Sequence, residues 1–219
     1  MRTYQLQTSL WLPQPREQIF GFFCDPKNLE RITPPWLRFE ILSPSEFAVD
    51  RGTRIDYRLR IRGLPIRWQN EIIIWEPPTR LVDQQTRGPY RLWIHEHTFS
   101  EQEGGTLAGD NVVYAVPGGK LVQKLFVAPD LDRIFHYRHE ILENILPLPL
   151  LSIAYAGRRV GLSSCHQPNT KSHSFRRCSI FQWCYGLSRV LSGVVRYGEA
   201  ESICDVPEEF LSRWTDPRP

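Results

Sequence analysis

Thr53-Arg-Ile-Asp-Tyr-Arg-Leu-Arg-Ile61 alternates without a break, with Ile55, Tyr57, Leu59 and Ile61 on one face and Arg54, Asp56, Arg58 and Arg60 on the other. A period of two is the spacing of a β-strand. One apolar face and one charged face mark an antiparallel sheet with one side on a core and one in water. Downstream, Ile66 to Trp75, Arg80 to Thr86, Tyr90 to Phe99 and Thr106 to Val116 read as further strands. Their separators carry turn chemistry: Gly63-Leu-Pro65, Pro77-Pro78, Arg87-Gly-Pro89 and Gly104-Gly105. Upstream, Phe39-Glu-Ile-Leu is a short strand, and Tyr4 to Leu12 alternates until Pro13 stops it.

Two helical signals frame this meander. Pro15-Arg-Glu-Gln-Ile-Phe-Gly-Phe-Phe predicts a short helix that Asp25-Pro26 breaks, and Asn28 to Ile32 predicts another turn. Pro129-Asp-Leu-Asp opens a long helix over 130–146, with two acids near the positive end of its dipole. Leu131, Ile134, Phe135, Arg138, Leu142 and Ile145 form one stripe at helical spacing, apolar except for Arg138. His136 and His139 fall off that stripe and are expected in solvent. The order is strand, helix pair, about six strands, long helix. The expected fold is therefore α+β: a curved antiparallel sheet of six or seven strands around a C-terminal helix, enclosing a space rather than a solid core.

Several motifs fit that order: Trp11-Leu-Pro13 with Ile19-Phe20; Asp25-Pro26-Lys-Asn-Leu29; Pro34-Pro35-Trp36; and Trp93-Ile-His95-Glu-His97-Thr-Phe99. Gly105-Thr-Leu with Asp110-Asn-Val-Val-Tyr114, and Leu131-Asp-Arg-Ile-Phe135-His-Tyr-Arg138, complete the set. On these residues, 1–147 resembles the SRPBCC superfamily: the START, polyketide cyclase/dehydrase and pollen-allergen-like helix-grip proteins. It looks most like the small bacterial stand-alone ligand-binding members. The resemblance implies a cavity for a hydrophobic small molecule or lipid, and no cofactor.

Composition sets the remaining bounds. Of 219 residues, 41% are hydrophobic and 23% charged, which excludes pervasive disorder, collagen and coiled coil for the whole chain. The net charge of +3 is too small to imply a nucleic-acid partner. Residues 1–147 are neutral, with 18 basic and 18 acidic side chains, whereas 148–219 hold 9 and 6. Ser occurs 4 times in the first segment and 10 times in the second, and four of five Cys (Cys165, Cys178, Cys184, Cys204) lie in the second. We read a boundary near Pro147–Pro149, then a tail of low order that matches nothing in the resembled family. Ser179 to Val195 and Pro207-Glu-Glu-Phe-Leu could form helices there. The abrupt shift also fits a reading-frame change near codon 148. Cys165, His166, His173, Cys178 and Cys184 contain no Cys-x-x-Cys pair, so zinc is weakly signalled there. Irregular cysteine spacing fits reduced thiols. The N-terminus lacks the apolar run of a signal peptide, and the longest charge-free run, Asn144 to Gly157, is 14 residues against the roughly 20 of a spanning helix. A cytoplasmic protein without an integral membrane segment is expected.

Trp93, His95, His97 and Phe99 share a strand face, as do Asp110, Val112 and Tyr114 on the next strand. If that face is concave, two imidazoles, a carboxylate and a phenol point into the cavity. His95, His97 and Asp110 are then candidates for proton transfer in an aldol-type cyclase or dehydratase. The alternative is a polar ladder that positions a ligand or satisfies the sheet face, and a third is an accessory protein with a vestigial pocket. The expected ligand contacts are Trp68, Trp93, His95, His97, Phe99, Asp110, Tyr114, Phe135 and Arg138. Trp36, Tyr57, Tyr90 and Phe126 could line or gate the space, or be ordinary core. His-x-His is also a metal-ligand spacing, with Asp110 or Glu71 as a third ligand, but no third His lies on a neighbouring strand; no metal is expected. Arg138 is either a ligand anchor or half of an internal ion pair with Asp110 or Glu71. Arg54, Arg58, Arg60, Arg62 and Arg67 form a basic outer face that reads as solvated sheet surface.

Overall fold

The structure is a computed structural model, described here for residues 1–43, 49–146 and 196–199. Strand β1 (Tyr4–Leu12) leads to helices α1 (Arg16–Cys24) and α2 (Pro26–Ile32), then a single 3-10 turn (Pro35–Leu37). Strands β2 (Glu40–Ile41), β3 (Arg54–Ile61), β4 (Leu64–Glu76), β5 (Arg80–Arg87), β6 (Leu92–Gln102) and β7 (Gly105–Ala115) follow. A helical stretch closes this part: α3 (Gly119–Val122), a π-helical turn (Gln123–Val127) and α4 (Ala128–Ile145). All sequence-adjacent strand pairs from β2 to β7 are antiparallel, and β1 closes on β7. The expected meander is the observed one.

Local chemistry fixes the joints. Asp25 Oδ1 accepts the Lys27 backbone N–H at 2.9 Å and Pro26 stands at the first helical position, so α1 stops where α2 starts. The β3–β4 and β6–β7 hairpins turn on Arg62-Gly63 (φ 51° and 84°) and Glu103-Gly104 (φ 49° and 76°). Two successive positive φ values match the twist of the flanking strands. The turns are thus tighter than the sequence suggested, and Leu64 and Pro65 already belong to β4.

The long helix begins at Gly119, not at Pro129. In the π-helical turn the Ala128 N–H donates to the Gln123 carbonyl, one residue further back than in an α-helix. That extra residue breaks the 3.6 period, so the apolar stripe of α4 cannot be followed upstream. Leu121, Leu125 and Phe126 are exposed accordingly.

Apolar faces meet in three places on the concave side. Leu10, Leu12, Ile19, Phe20, Phe99 and Leu142 join β1, α1, β6 and α4. Tyr4, Leu6, Trp93, Val112, Tyr114, Leu131 and Phe135 join the same sheet half to the start of α4. Ile55, Tyr57 and Leu59 form a separate cluster on β3. Helix α4 therefore packs toward β1 and α2, and the sheet half built on β3 to β5 stands off from it. The outer face is wet at β3, where Arg54 meets Glu71 at 3.0 Å and Arg58 meets Glu40. It is not wet in the middle strands: Ile73, Val82, Leu92, Ile94, Val113 and Ala115 are buried there as well. The expectation of one solvated face holds at the sheet's edge only.

Within the segment expected to have low order, the described residues are Arg196–Glu199. They form β8, antiparallel to β1, and make an eight-stranded sheet in the order β2-β3-β4-β5-β6-β7-β1-β8. The boundary near Pro147, the tail cysteines and histidines and the two tail helices lie outside the described residues. No helix among the described residues is long and apolar enough to cross a membrane.

The hairpin edge leaves no room at Gly105, where a Cβ would sit 2.4 Å from the Leu12 carbonyl oxygen and 2.6 Å from the Trp11 ring. Backbone cannot retreat as a side chain can. Gly105→Ala is expected to lower stability by about 1–3 kcal/mol, read as a drop in the urea midpoint at unchanged slope; an unchanged midpoint would refute this contact.

Candidate functional site

The gap between α4 and the β3–β5 half of the sheet is a cavity of about 220 Å³. Its walls come from α1 and α2 (Phe22, Phe23, Leu29, Ile32), β3 (Ile55, Tyr57, Leu59), β4 (Trp68, Ile72) and α4 (Leu131, Ile134, Phe135). A second cavity of about 460 Å³ shares Leu37, Ile61, Tyr90, Leu131 and Ile134 with the first and extends past Trp36 and Arg133. Asn70, Asp83, His95 and His97 form a polar patch on the sheet wall of the first, and Arg138 lines the same space from α4.

Strand register creates that wall. Asp83 on β5 lies opposite His95 on β6, and His97 lies opposite Asp110 on β7. Diagonal neighbours then meet: His95 Nε2 is 2.7 Å from Asp110 Oδ1, and His97 Nε2 is 3.6 Å from Asp83 Oδ2. His97 Nδ1 approaches Asp110 Oδ1 to 2.9 Å, too obliquely for a well-formed hydrogen bond. The two imidazoles stack with centroids 3.8 Å apart. Asp83 is also held from behind. Its Oδ1 accepts from Asn70 Nδ2, and Asn70 Oδ1 accepts from Trp68 Nε1.

Electrostatics separates the two histidines. Burial, reinforced by His97, lowers the pKa of His95 and outweighs its bond to Asp110. Burial also acts to lower His97, but interactions with Asp110 and Asp83 outweigh it, and His97 holds a proton more readily than free imidazole. Burial would raise Asp110; the two histidines and the Arg138 charge hold it well below the usual carboxylate range instead. Two coupled sites with opposite shifts are a proton-transfer arrangement and equally a polar anchor.

Of the residues expected around a ligand, Trp68, Trp93, His95, His97, Phe135 and Arg138 line the cavity. Asp110 stands behind the imidazoles. Phe99 packs in the core against Phe20 and Phe23, at 5.5 Å and 5.2 Å, and does not reach the cavity wall. Tyr114 is fully buried against Tyr4, and its hydroxyl accepts from Gln123 Nε2. Tyr57 and Tyr90 line the wall, Trp36 borders the second cavity, and Phe126 lies under Arg62 on the surface. Neither expected ion-pair mate contacts Arg138 directly. Glu71 is on the outer face with Arg54, and Arg138 lies over the Phe135 ring at 5.3 Å, reaching Asp110 through its field alone.

Asp83 was missed by sequence reading. Leu81 and Asp83 share a face by parity, but Asp83-Gln-Gln-Thr86 has no alternation, and the β5–β6 register cannot be read locally. His139 is the other correction. It is buried, not solvated, with Nε2 3.3 Å from the Thr8 hydroxyl across to β1. On the cavity wall, burial pushes the Cys24 thiol up to about 12, leaving it protonated at neutral pH.

A bent antiparallel sheet, a paired-helix insertion after the first strand and a closing helix define the architecture. The fold is the helix-grip fold. Solved structures of this shape include TTHA0849 from Thermus thermophilus (18% identity, 65% of this chain and 96% of that one, TM-score 0.52). A ginseng major latex-like protein 151 from Panax ginseng is similar at 12% identity, over 67% and 99% of the two chains, with a TM-score of 0.53. Ara h 8.0201 is similar at 14% identity, over 66% and 97%, with a TM-score of 0.52. The resemblance to the SRPBCC superfamily thus holds for the fold. No family model matches the sequence, and no curated protein matches it at a significant level.

Burial lowers the pKa of His139, with Arg138 and His136 adding to the shift and Asp110 opposing it. Above about pH 6.5 the residue is neutral in both folded and unfolded chains and contributes nothing to pH dependence. Below that, the unfolded chain takes up the proton and the folded one resists, so stability falls as pH falls. His139→Gln is expected to make the fall in melting temperature shallower between about pH 7 and pH 5; an identical slope would contradict this.

Proposed function

We propose that the protein binds a hydrophobic small molecule or lipid between the sheet and α4, with the polar end of the guest against His95, His97 and Arg138. The observation that carries this is an apolar cavity with Asn70, Asp83, His95 and His97 on its sheet wall and Arg138 on its helix wall. Apolar burial supplies affinity at about 25 cal/mol per Å², and a few convergent polar groups supply orientation. Arg138, buried without a direct ion pair among the described residues, is suited to a carboxylate or carbonyl of the guest. A cytoplasmic protein acting on such a guest, without a nucleic-acid partner, completes this reading.

A second reading, acid–base catalysis of cyclase or dehydratase type, is favoured by one observation: Asp110 lies against both imidazoles while their pKa values are driven apart. His97 would move the proton and Asp110 would orient it.

An environment-sensitive naphthalene probe, displaced by a fatty acid or by the alcohol of equal chain length, tests the binding reading. Wild type is expected to bind saturably. Ile72→Phe, which fills the cavity from β4, should weaken both competitors by about tenfold. Arg138→Met should weaken the acid by about tenfold more than the alcohol. Absence of saturable binding, or indifference to Ile72→Phe, contradicts the proposal.

A further inference from the structure

We propose that Asp83, His95 and His97 form a site for one divalent transition-metal ion of the zinc or iron(II) class, facing the cavity. Each of the three brings one ligand atom to within 4.8 Å of the other two, and all three are buried. Among the described residues no other trio of His, Cys, Asp or Glu is so placed.

The Asp83–His97 separation fits a shared ion better than a direct bond. Asp83 Oδ2 and His97 Nε2 are 3.6 Å apart, beyond a hydrogen bond. Two ligands at about 2.1 Å from a tetrahedral zinc lie about 3.4 Å from each other.

The surroundings are those of ligands held for a metal. Asn70, itself fixed by Trp68, takes Asp83 Oδ1 and leaves Oδ2 toward His97. Asp110 lies against both rings, the place of the carboxylate that sets the tautomer and orientation of ligating imidazoles. Two nitrogens and one oxygen suit zinc or iron(II), whereas magnesium and calcium take oxygen ligands. Three protein ligands leave coordination positions open, and these three line the cavity. An oxygen of a cavity guest has direct access to them. A proton on His97 competes for the same place as the ion. The proposal stands on the side-chain cluster and does not depend on what the cavity binds, so its failure leaves the apolar-guest reading standing.

Chelator-treated full-length protein is titrated with zinc(II) and, separately, with cobalt(II) followed by visible absorption. Wild type is expected to bind one equivalent at a Kd on the order of a micromolar or tighter. Asp83→Asn and His97→Gln should each weaken binding by about 100-fold, and Asp110→Asn by about 10–100-fold. His136→Gln, on the exposed face of α4, should leave it unchanged. Because the buried variants can lose their fold, ring-nitrogen NMR of the wild type provides a mutation-free readout: zinc should shift His95 and His97 and spare His136. Failure of the wild type to retain an equivalent of zinc overturns the proposal. So do equal binding by folded Asp83→Asn and His97→Gln, thiolate-to-cobalt charge-transfer bands marking cysteine ligands, or ring signals of His95 and His97 that do not move.

Discussion

The relative register of β5, β6 and β7 is the constraint on which the site depends. It sets Asp83 opposite His95 and His97 opposite Asp110. A slip of one residue in β6 would turn both imidazoles to the outer face and bring Ile94 and Glu96 into the cavity. Register is strongly specified here because both faces are committed. Trp93 and Phe99 sit in the inner core on the same strand parity as the histidines, while Leu92 and Ile94 are buried on the other side. Apolar burial on both faces of β6 thus fixes where four ionisable groups meet. On the outer face a polar ladder from Gln5 through Asn111 and Glu96 to Arg80 repeats the same pairing.

The cavity follows from an imbalance in helix packing. The stripe of α4 has Leu131, Phe135 and Leu142 to bury, and it finds partners on β1, β6 and β7 and on α1. Ile55, Tyr57 and Leu59 on β3 are capped from the other side by Leu29 and Phe39. Leu29 and Trp68 border both packings, and the interval between them is lined mainly with apolar side chains. Arg138 is the exception on the helix, as the Asp83–His97–Asp110–His95 cluster is on the sheet. Helix and sheet each present one ionisable region to the same apolar space.

Much of this was legible in the chain itself. Strict alternation in Thr53 to Ile61 and in Tyr4 to Leu12 revealed the strands, and the Asp25-Pro26 break separated the paired helices. Parity alone put Trp93, His95 and His97 on one face. What escaped was whatever depends on long-range register or irregular backbone. Asp83 needed the β5–β6 pairing. Phe99 has the same parity as His97 but lies one step further along the strand, where α1 fills the space. Tyr114 likewise shares a face with Asp110 but is packed among the rings of Tyr4, Tyr90 and Trp93. His139 is off the apolar stripe, yet a hydroxyl on β1 gives its ring a polar partner within the core. The helix start was hidden by a π-helical turn that no fixed period describes.

Occupancy of the space between sheet and helix by an apolar guest is read most simply as mass. Native mass spectrometry of the full chain purified from its own host is expected to show a population heavier than the bare chain by one organic molecule. That added mass should be released by an organic solvent and be absent from Ile72→Phe. A bare-chain mass alone, under conditions that preserve non-covalent complexes and across repeated preparations, would contradict an apolar guest in this cavity.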